Sequence, residues 1–97
     1  MASLLAATSL VVSLAVAYGV KHRVANAADA AALAAADTVS GFVSGYPCTT
    51  AEKVARLNGV ELRSCAIDGT ESFVSTRSVY LGFEVVAVAR AGPPEGR

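Results

Sequence analysis

Few side chains of this chain are suited to chemistry, and the two cysteines are the most informative of them. Cys48 and Cys65 are accompanied by a single histidine, His22, which lies far from both in the sequence. A closed zinc site takes four nitrogen or sulfur ligands, so these residues are too few to build one. The thiols can instead pair as a disulfide in an oxidising compartment, or stay buried and free in a reducing one. A disulfide that closes a loop of about 18 residues would stabilise a small head by about 3 kcal/mol.

The acidic residues do not form a pair suited to acid–base catalysis. Asp29 and Asp37 fall on a predicted helix, where their spacing separates them by about 12 Å along the axis. This is too far for two carboxyl groups to share a proton, so we interpret both as solvated residues or polar contacts between subunits. The chain also contains no Ser–His–Asp set and no phosphate-binding loop. We therefore expect no enzymatic activity, no cofactor and no metal.

The charge balance argues against a nucleic-acid partner. The 97 residues include eight basic and eight acidic ones, for a formal net charge of zero. Nucleic-acid binding needs a concentrated basic patch, whereas the basic cluster here is only Lys21-His22-Arg23. A chain of this length forms one small domain with little core of its own.

The amino-terminal segment contains no charged side chain from Met1 to Val20. As a helix it would extend about 30 Å, enough to cross the hydrocarbon core of a bilayer. We assign residues 1–22 to a transmembrane or filament-core helix, with Lys21, His22 and Arg23 as an interfacial collar at the headgroups. The apolar core of this segment comprises Leu4, Leu5, Leu10, Val11, Leu14 and Val16.

A cleaved signal peptide is the alternative interpretation of the same segment. Ala15-Val16-Ala17 and Ala25-Asn26-Ala27 both fit the small-x-small cleavage rule, which would give a mature chain starting at Tyr18 or Ala28. The product would be a small secreted binding protein that contains a disulfide. Retention is favoured, because no basic region precedes the apolar run and the helical pattern continues through the first cleavage site.

Two signals for the orientation in a membrane disagree. Basic residues after the apolar run would place the following segment in the cytoplasm, whereas a cysteine pair would place it outside. We favour the outside. The expected location is therefore a membrane-anchored protein with an extracytoplasmic head, or an extracellular filament on the cell surface.

Alanine-rich sequence continues the helix beyond the collar. Alanine is the strongest helix former, and it dominates Val24–Ala36. This predicts one continuous helix from about Leu4 to Val43, with residues 23–45 as the continuation of the apolar segment. Gly45-Tyr46-Pro47 would stop it.

A short helix opens the head. Thr49 and Glu52 have the spacing of a capping box, with Thr49 as the N-cap. The helix would end at Asn58-Gly59, a pair typical of a helix C-terminus. Val54 and Leu57 would supply its apolar side.

Three strands follow the short helix. Their alternating or β-branched residues predict strands at Val60–Ile67, Ser72–Leu81 and Phe83–Arg90. Asp68-Gly69 predicts a tight hairpin turn. The predicted fold class is therefore α+β, with a long N-terminal helix and, packed on its C-terminal half, a short helix and a three-stranded antiparallel sheet. Residues 46–92 form this small α/β head, and residues 93–97 form a tail.

The cysteines and the aromatic residues have predicted places in this arrangement. Cys48 precedes the short helix and Cys65 lies on the first strand, so a bridge would clip helix to sheet. The aromatic residues are most simply core and interface residues. Phe42 and Tyr46 are expected to pack against the sheet.

The order of these features resembles the TadE-like proteins, pilin-like components of tight-adherence (Flp) pilus systems. A small-residue apolar helix is followed at residues 21–36 by KHRVANAADAAALAAA, like the opening of that family. The short actinobacterial variety is the most similar. The resemblance extends over nearly the whole chain through Pro47-Cys48, Asn58-Gly59, Cys65 before Asp68-Gly69, and a closing Ala89-Arg90-Ala91-Gly92-Pro93.

The resemblance implies a type IV pilin-like fold and a membrane-inserted precursor. It further implies Tad-type assembly machinery and partners that are copies of the chain or other pilin-like subunits. Leu5 stands where pilins usually carry a glutamate that pairs with a neighbour's amino terminus. A minor subunit, an assembly component or a filament with different subunit bonding are therefore alternatives to a major pilin.

Overall fold

The computed structural model describes residues 2–41 and 44–92, with side chains from residue 19 onward. Its elements are α1 (Ala2–Val39), α2 (Pro47–Leu57), β1 (Glu61–Asp68), β2 (Glu71–Tyr80) and β3 (Phe83–Ala91). The fold is α+β, with two helices and one antiparallel three-stranded sheet, as the sequence predicts. The predicted tail, residues 93–97, lies outside the described residues.

The first helix ends before the predicted Val43. Val39 is its last helical residue. Gly41 follows with a φ of 86° and donates its backbone N–H to the Thr38 carbonyl at 3.1 Å. Glycine adopts this left-handed conformation without the steric cost that other residues meet, which ends the helix. Phe42 lies outside the described residues, so its predicted packing against the sheet stays a prediction.

The second helix begins upstream of its predicted N-cap. Tyr46 is the N-cap, with φ −99° and ψ 130° and no side-chain capping bond. Pro47 suits the first helical position, because its φ is already helical and its missing N–H needs no partner there. Thr49 and Glu52 therefore lie inside the helix, and the predicted capping box is wrong. Glu52 instead forms an ion pair with Arg56, one turn further along.

The C-terminus of α2 confirms the prediction from Asn58-Gly59. Asn58 is the C-cap, and Gly59 has a φ of 77°. Gly59 N–H donates to the Arg56 carbonyl at 2.9 Å, and Val60 N–H donates to the Ala55 carbonyl at 3.1 Å. These two bonds form a Schellman motif, which satisfies carbonyls at the helix end. The motif directs Val60 into the core beside Ala55.

The sheet has the strand order β1-β2-β3, and each neighbouring pair is joined by a tight hairpin. In the first hairpin Gly69 and Thr70 form the loop, one residue later than predicted. In the second, Leu81 and Gly82 form the loop with φ values of 53° and 82°. Positive φ at both central residues is the requirement of a type I′ turn, whose twist matches that of the flanking strands.

The core lies between the two helices and the inner face of the sheet, and it consists mainly of alanine. One cluster joins Ala31, Ala32, Ala35, Ala51 and Val74, and a second joins Val24, Ala27, Ala55 and Val60. Several larger side chains lie outside it: Tyr46 is 79% exposed, Leu57 77% and Phe83 75%. The expectation that Tyr46 and Phe83 lie in the core is therefore wrong, as is the assignment of Leu57 to the buried side of α2. A place for the two aromatic residues in an interface stays a prediction.

Two buried hydroxyl groups of β2 hold the sheet on α1. Ser72 Oγ donates to the Ala32 carbonyl at 2.6 Å, and Thr76 Oγ1 donates to the Val24 carbonyl at 2.8 Å. The acceptors are separated by about 12 Å along a helix, and the donors by about 13 Å along a strand. Because the two spans match, both bonds form at once. The order of the contacts also shows that β2 runs antiparallel to α1.

The disulfide predicted as one of two states of the cysteines is present. Cys48 and Cys65 are bonded, with their Cα atoms 5.8 Å apart. Cys48 lies at the start of α2, and Cys65 lies on β1, where it packs against the first alanine cluster. The bond therefore clips α2 to the sheet, as the sequence predicts.

Candidate functional site

The exposed side of α1 carries the two predicted polar contact residues. Asn26, Asp29 and Leu33 are exposed and Asp37 is half-buried, whereas the alanines on the opposite side are covered. We call these four residues the helix stripe. Leu33 is 55% exposed in its middle, so the stripe combines polar groups with a large apolar side chain. Such a surface is suited to contact with another chain.

The predicted collar lies where α1 meets the head. Lys21, His22 and Arg23 are all exposed, and Val24, the next residue, is fully buried. Val24 also provides the carbonyl that accepts from Thr76. Val20, on the other side of the collar, is half-buried and packs against the same cluster as Val24, so the collar is a short exposed stretch within the packed part of α1.

The predicted membrane or filament residues lie in the first part of α1, where the structure describes the backbone and not the side chains. The side chains of Leu4, Leu5, Leu10, Val11, Leu14 and Val16 lie outside the described residues. In the part of the chain that the structure describes, no helix qualifies by length and hydropathy as a membrane span.

A cluster of charged residues crosses the outer face of the sheet, the face turned away from α1. Arg77 on β2 donates to Glu84 on β3 at 2.7 Å and also to Glu61 on β1. Arg63 Nε lies 4.0 Å from Glu84 Oε1. Two hydrogen bonds raise the pKa of Arg77 above its usual value, and the bond to Glu84 contributes more than the bond to Glu61. The cluster ties all three strands together on the solvent side.

Sequence reasoning missed this charged cluster, although its members are visible in the sequence. These charges become neighbours only through the pairing register of the strands. Glu61 stands directly opposite Arg77 on β2. Arg77 in turn stands opposite Val86, which is two residues from Glu84 on the same face of β3. Opposite charges on facing residues of neighbouring strands attract each other. The pairing register, which the hairpin loops set, was needed to recognise them.

The outer face also has an apolar area beside the charged cluster. A shallow depression there is lined by residues that include Phe73, Ser75, Val88 and Arg90. Phe73 is 38% exposed and Val88 is 78% exposed, whereas Ser75 is 3% exposed. The Ser75 hydroxyl is buried and has no hydrogen-bond partner among the described residues. This surface can provide apolar contact to another molecule.

Within the described residues, no group of three or more histidine, cysteine, aspartate or glutamate side chains is placed to hold a metal ion. Of the predicted site residues whose side chains are described, the cysteines form the disulfide, Lys21, His22 and Arg23 form the collar, and Asp29 and Asp37 lie on the helix stripe. The candidate functional features of the described residues are therefore these surfaces and the outer face of the sheet.

Comparisons with known proteins add no relatives to these observations. No family model matches the chain, no curated protein is similar to it, and no solved structure matches its fold.

Proposed function

We propose that this protein is a structural pilin-like subunit, major or minor, of a Tad or type IV-like pilus or secretion filament. The observation that carries the proposal is the packing of the head on α1. Among the side chains that the structure describes, the fully covered ones of α1 begin at Val24, and half-buried Val20 packs against the same cluster. The head thus packs on the helix from Val20 onward, and the rest of the charge-free sequence Met1–Val20 precedes it.

In this proposal the fold is type IV pilin-like, and α1 acts as one long rod. Its apolar half is stored in the bilayer before assembly and is then transferred into the filament by Tad-type machinery. Lipid contacts are exchanged for helix–helix contacts of similar apolarity. Small residues such as Ala6, Ser13 and Gly19 permit the close approach of neighbouring helices.

The helix stripe is the natural contact surface between assembled subunits, which are further copies or other pilin-like chains. Asp29 and Asp37 offer carboxylates to basic groups of a neighbour, and Leu33 offers apolar area between them. The disulfide supports an extracytoplasmic or cell-surface location for the head, because such bonds persist in oxidising compartments.

A small secreted binding protein, released after signal-peptide cleavage, is the alternative. The apolar depression around Phe73 and Val88 favours it, since this surface could receive a partner. Cleavage before Ala28 would remove Val24 and Ala27, both fully buried in the second core cluster. The cleavage that leaves the head intact is the one before Tyr18.

The deciding experiment is the intact mass of the native protein, measured without reductant in membrane, surface and medium fractions. The proposal predicts a chain that retains residues 1–20 and the disulfide, in the membrane or in sheared filaments. A soluble chain that begins near Tyr18 would overturn the proposal in favour of the secreted binding protein.

A matched pair of variants tests the anchoring role of the first helix segment. Leu10→Asp should abolish membrane recovery, because an acidic residue in the middle of a span costs about 3 kcal/mol. Leu33→Asp makes the same change on the exposed helix stripe and should leave membrane recovery unchanged. Equal recovery of both variants in the membrane fraction would contradict anchoring through residues 1–22.

A further inference from the structure

The two edges of the sheet differ in how they are protected. β1 carries an irregularity in its pairing with β2 between Leu62 and Ser64, at Arg63. Bulges and charged residues are common means of protecting an edge strand from further pairing. β3 pairs with β2 without interruption from Phe83 to Ala91 and contains no proline, and its two charged residues, Glu84 and Arg90, have opposite signs. The edge of β3 is therefore the one suited to accept another strand.

The backbone groups that face this edge follow from the second hairpin. Tyr80 pairs with Phe83 across a two-residue loop, so this closing pair exchanges hydrogen bonds between the two strands. Hydrogen bonding then alternates along β3. Its N–H and C=O groups point away from β2 at four residues, which are Glu84, Val86, Val88 and Arg90. No hydrogen bond to these groups is found among the described residues.

The sequence of β3 is complementary to itself when reversed. We propose that the free edge of β3 pairs antiparallel with β3 of a second copy, about a two-fold axis at Ala87. In this register Glu84 faces Arg90 of the second copy, and Val86 faces Val88. All four edge-facing residues then meet edge-facing partners, which is the condition for an antiparallel ladder. Both charged pairs join opposite signs.

Charge complementarity selects this register and this occupant. A shift of the register by two residues in one direction places Val86 opposite itself and Glu84 opposite Val88, so that no ion pair forms. Arg90 is exposed, and no ion pair involves it among the described residues. Val86 and Val88 are 41% and 78% exposed and would cover each other across the new pair. A two-fold contact of this kind closes on itself and does not propagate into fibres.

The geometry also limits which copies can pair. β2 runs antiparallel to α1, so β3 runs parallel to it. Antiparallel pairing of two β3 strands therefore directs the two α1 helices in opposite directions. For a chain anchored or assembled as in the proposed function, this orientation corresponds to copies from two separate membranes or filaments, and not to neighbouring positions in one. The pairing uses none of residues 1–22, so it goes beyond the proposed function and can hold if that proposal fails.

Cysteine cross-linking of the full chain in detergent micelles tests the register. Two differently tagged versions carry Val86→Cys and Val88→Cys, each with the native disulfide intact. Under mild oxidation, the yield of cross-linked dimer from the mixture should be about tenfold higher than from either version alone, since facing side chains lie about 5 Å apart. Cross-linking of Val86→Cys alone at the same yield would overturn the register. The absence of cross-linking in all three samples would overturn the pairing.

Backbone and charge variants test the ladder independently of cysteine chemistry. Val86→Pro removes an edge-facing N–H without removing a bond to β2, and such an edge position tolerates proline. Dimerisation in sedimentation experiments should weaken at least about tenfold, while the control Val86→Thr changes it less than about threefold. Circular dichroism should show that both variants remain folded. If folded Val86→Pro forms dimers as stable as those of the wild type, the proposal is overturned. Dimers held together by residues 1–22 would give this result, because they do not depend on the edge of β3.

The charge pair gives a reversal test. Arg90→Glu places two glutamates opposite each other at both ends of the ladder, and dimerisation should weaken about tenfold. Combining it with Glu84→Arg restores opposite charges and should recover dimerisation. Glu84→Arg alone is the matched control, because it also removes the bond from Arg77 to Glu84. Failure of the folded double variant to dimerise more strongly than either single variant would overturn the assigned register.

Discussion

The two faces of the sheet carry different kinds of side chain on β2 and its neighbours. The inner face of β2, packed on α1, presents Ser72, Val74 and Thr76 to a helix surface of alanine. The outer face carries the exposed apolar side chains Phe73 and Val88, together with the charged cluster. The difference shows that the inner face is built for close approach of sheet and helix. The outer face keeps apolar area available for contact with another molecule.

Close approach explains why small residues occupy the core. The hydroxyl groups of Ser72 and Thr76 reach helix carbonyls at 2.6 and 2.8 Å. Larger side chains on α1 would separate sheet and helix and leave these buried hydroxyls without partners, at a cost of about 1–3 kcal/mol each. An alanine core buries little apolar area per residue, so the head depends more than usual on its hydrogen bonds and its disulfide.

Removal of the disulfide should have the largest effect on this arrangement. Replacing Cys48 and Cys65 together by serine should lower the free energy of unfolding by about 3 kcal/mol. The bond holds α2 over the alanine clusters, so its loss loosens the inner face first. Urea unfolding of the full chain in detergent measures the change. Reduction of the wild-type protein should reproduce it, and an unchanged midpoint in both samples would contradict a structural role.

Enlarging the alanine face should have the next largest effect. Ala31→Leu inserts a side chain where the wild-type residue is fully buried against the first cluster, and overpacking should cost about 2 kcal/mol. Leu33→Ala, on the exposed helix stripe of the same helix, should change stability by less than about 0.5 kcal/mol. Thermal unfolding of the two variants compares the faces of α1 directly. Equal shifts would show that the alanine face is not closely packed.

Removing one hydroxyl anchor should have a smaller effect. Thr76→Val keeps the shape of the side chain but removes the donor to the Val24 carbonyl, and should cost about 1 kcal/mol. Thr49→Val, at an exposed position of α2, is the control. Hydrogen exchange should show faster opening of the Val24 region in the first variant only. Identical exchange in both would argue against a role of the Thr76 bond.

A polar substitution on the outer face should have the smallest effect. Val88→Thr, at a residue that is 78% exposed, should change the free energy of unfolding by less than about 0.5 kcal/mol. Urea unfolding at low protein concentration measures this effect on the single chain. A loss comparable with that of Ala31→Leu would show that the outer face is part of the core, and would remove the contrast between the two faces.

Much of the local structure could be predicted from the sequence. Alternating residues identified the three strands, and Asn58-Gly59 identified the end of α2, because these signals act over a few neighbouring residues. The start of α2 was misplaced, since two local signals compete there. Pro47 at the first helical position took precedence over the Thr49–Glu52 spacing. The candidate contact surfaces were predicted only in part: Asp29 and the collar residues are exposed, and their contacts stay predictions, whereas the apolar depression and the charged cluster were missed.

The sequence by itself determined the types of element and the alanine content that makes close packing possible, and it left the two cysteines either paired or free. Only the tertiary structure decided which face each residue occupies. Hydrophobicity assigns Phe83 to the interior and Thr76 to the surface, and the fold does the opposite. The physical reason is that burial depends on partners distant in the chain. Thr76 is buried because it reaches the carbonyl of Val24, 52 positions away, and no local pattern records that distance.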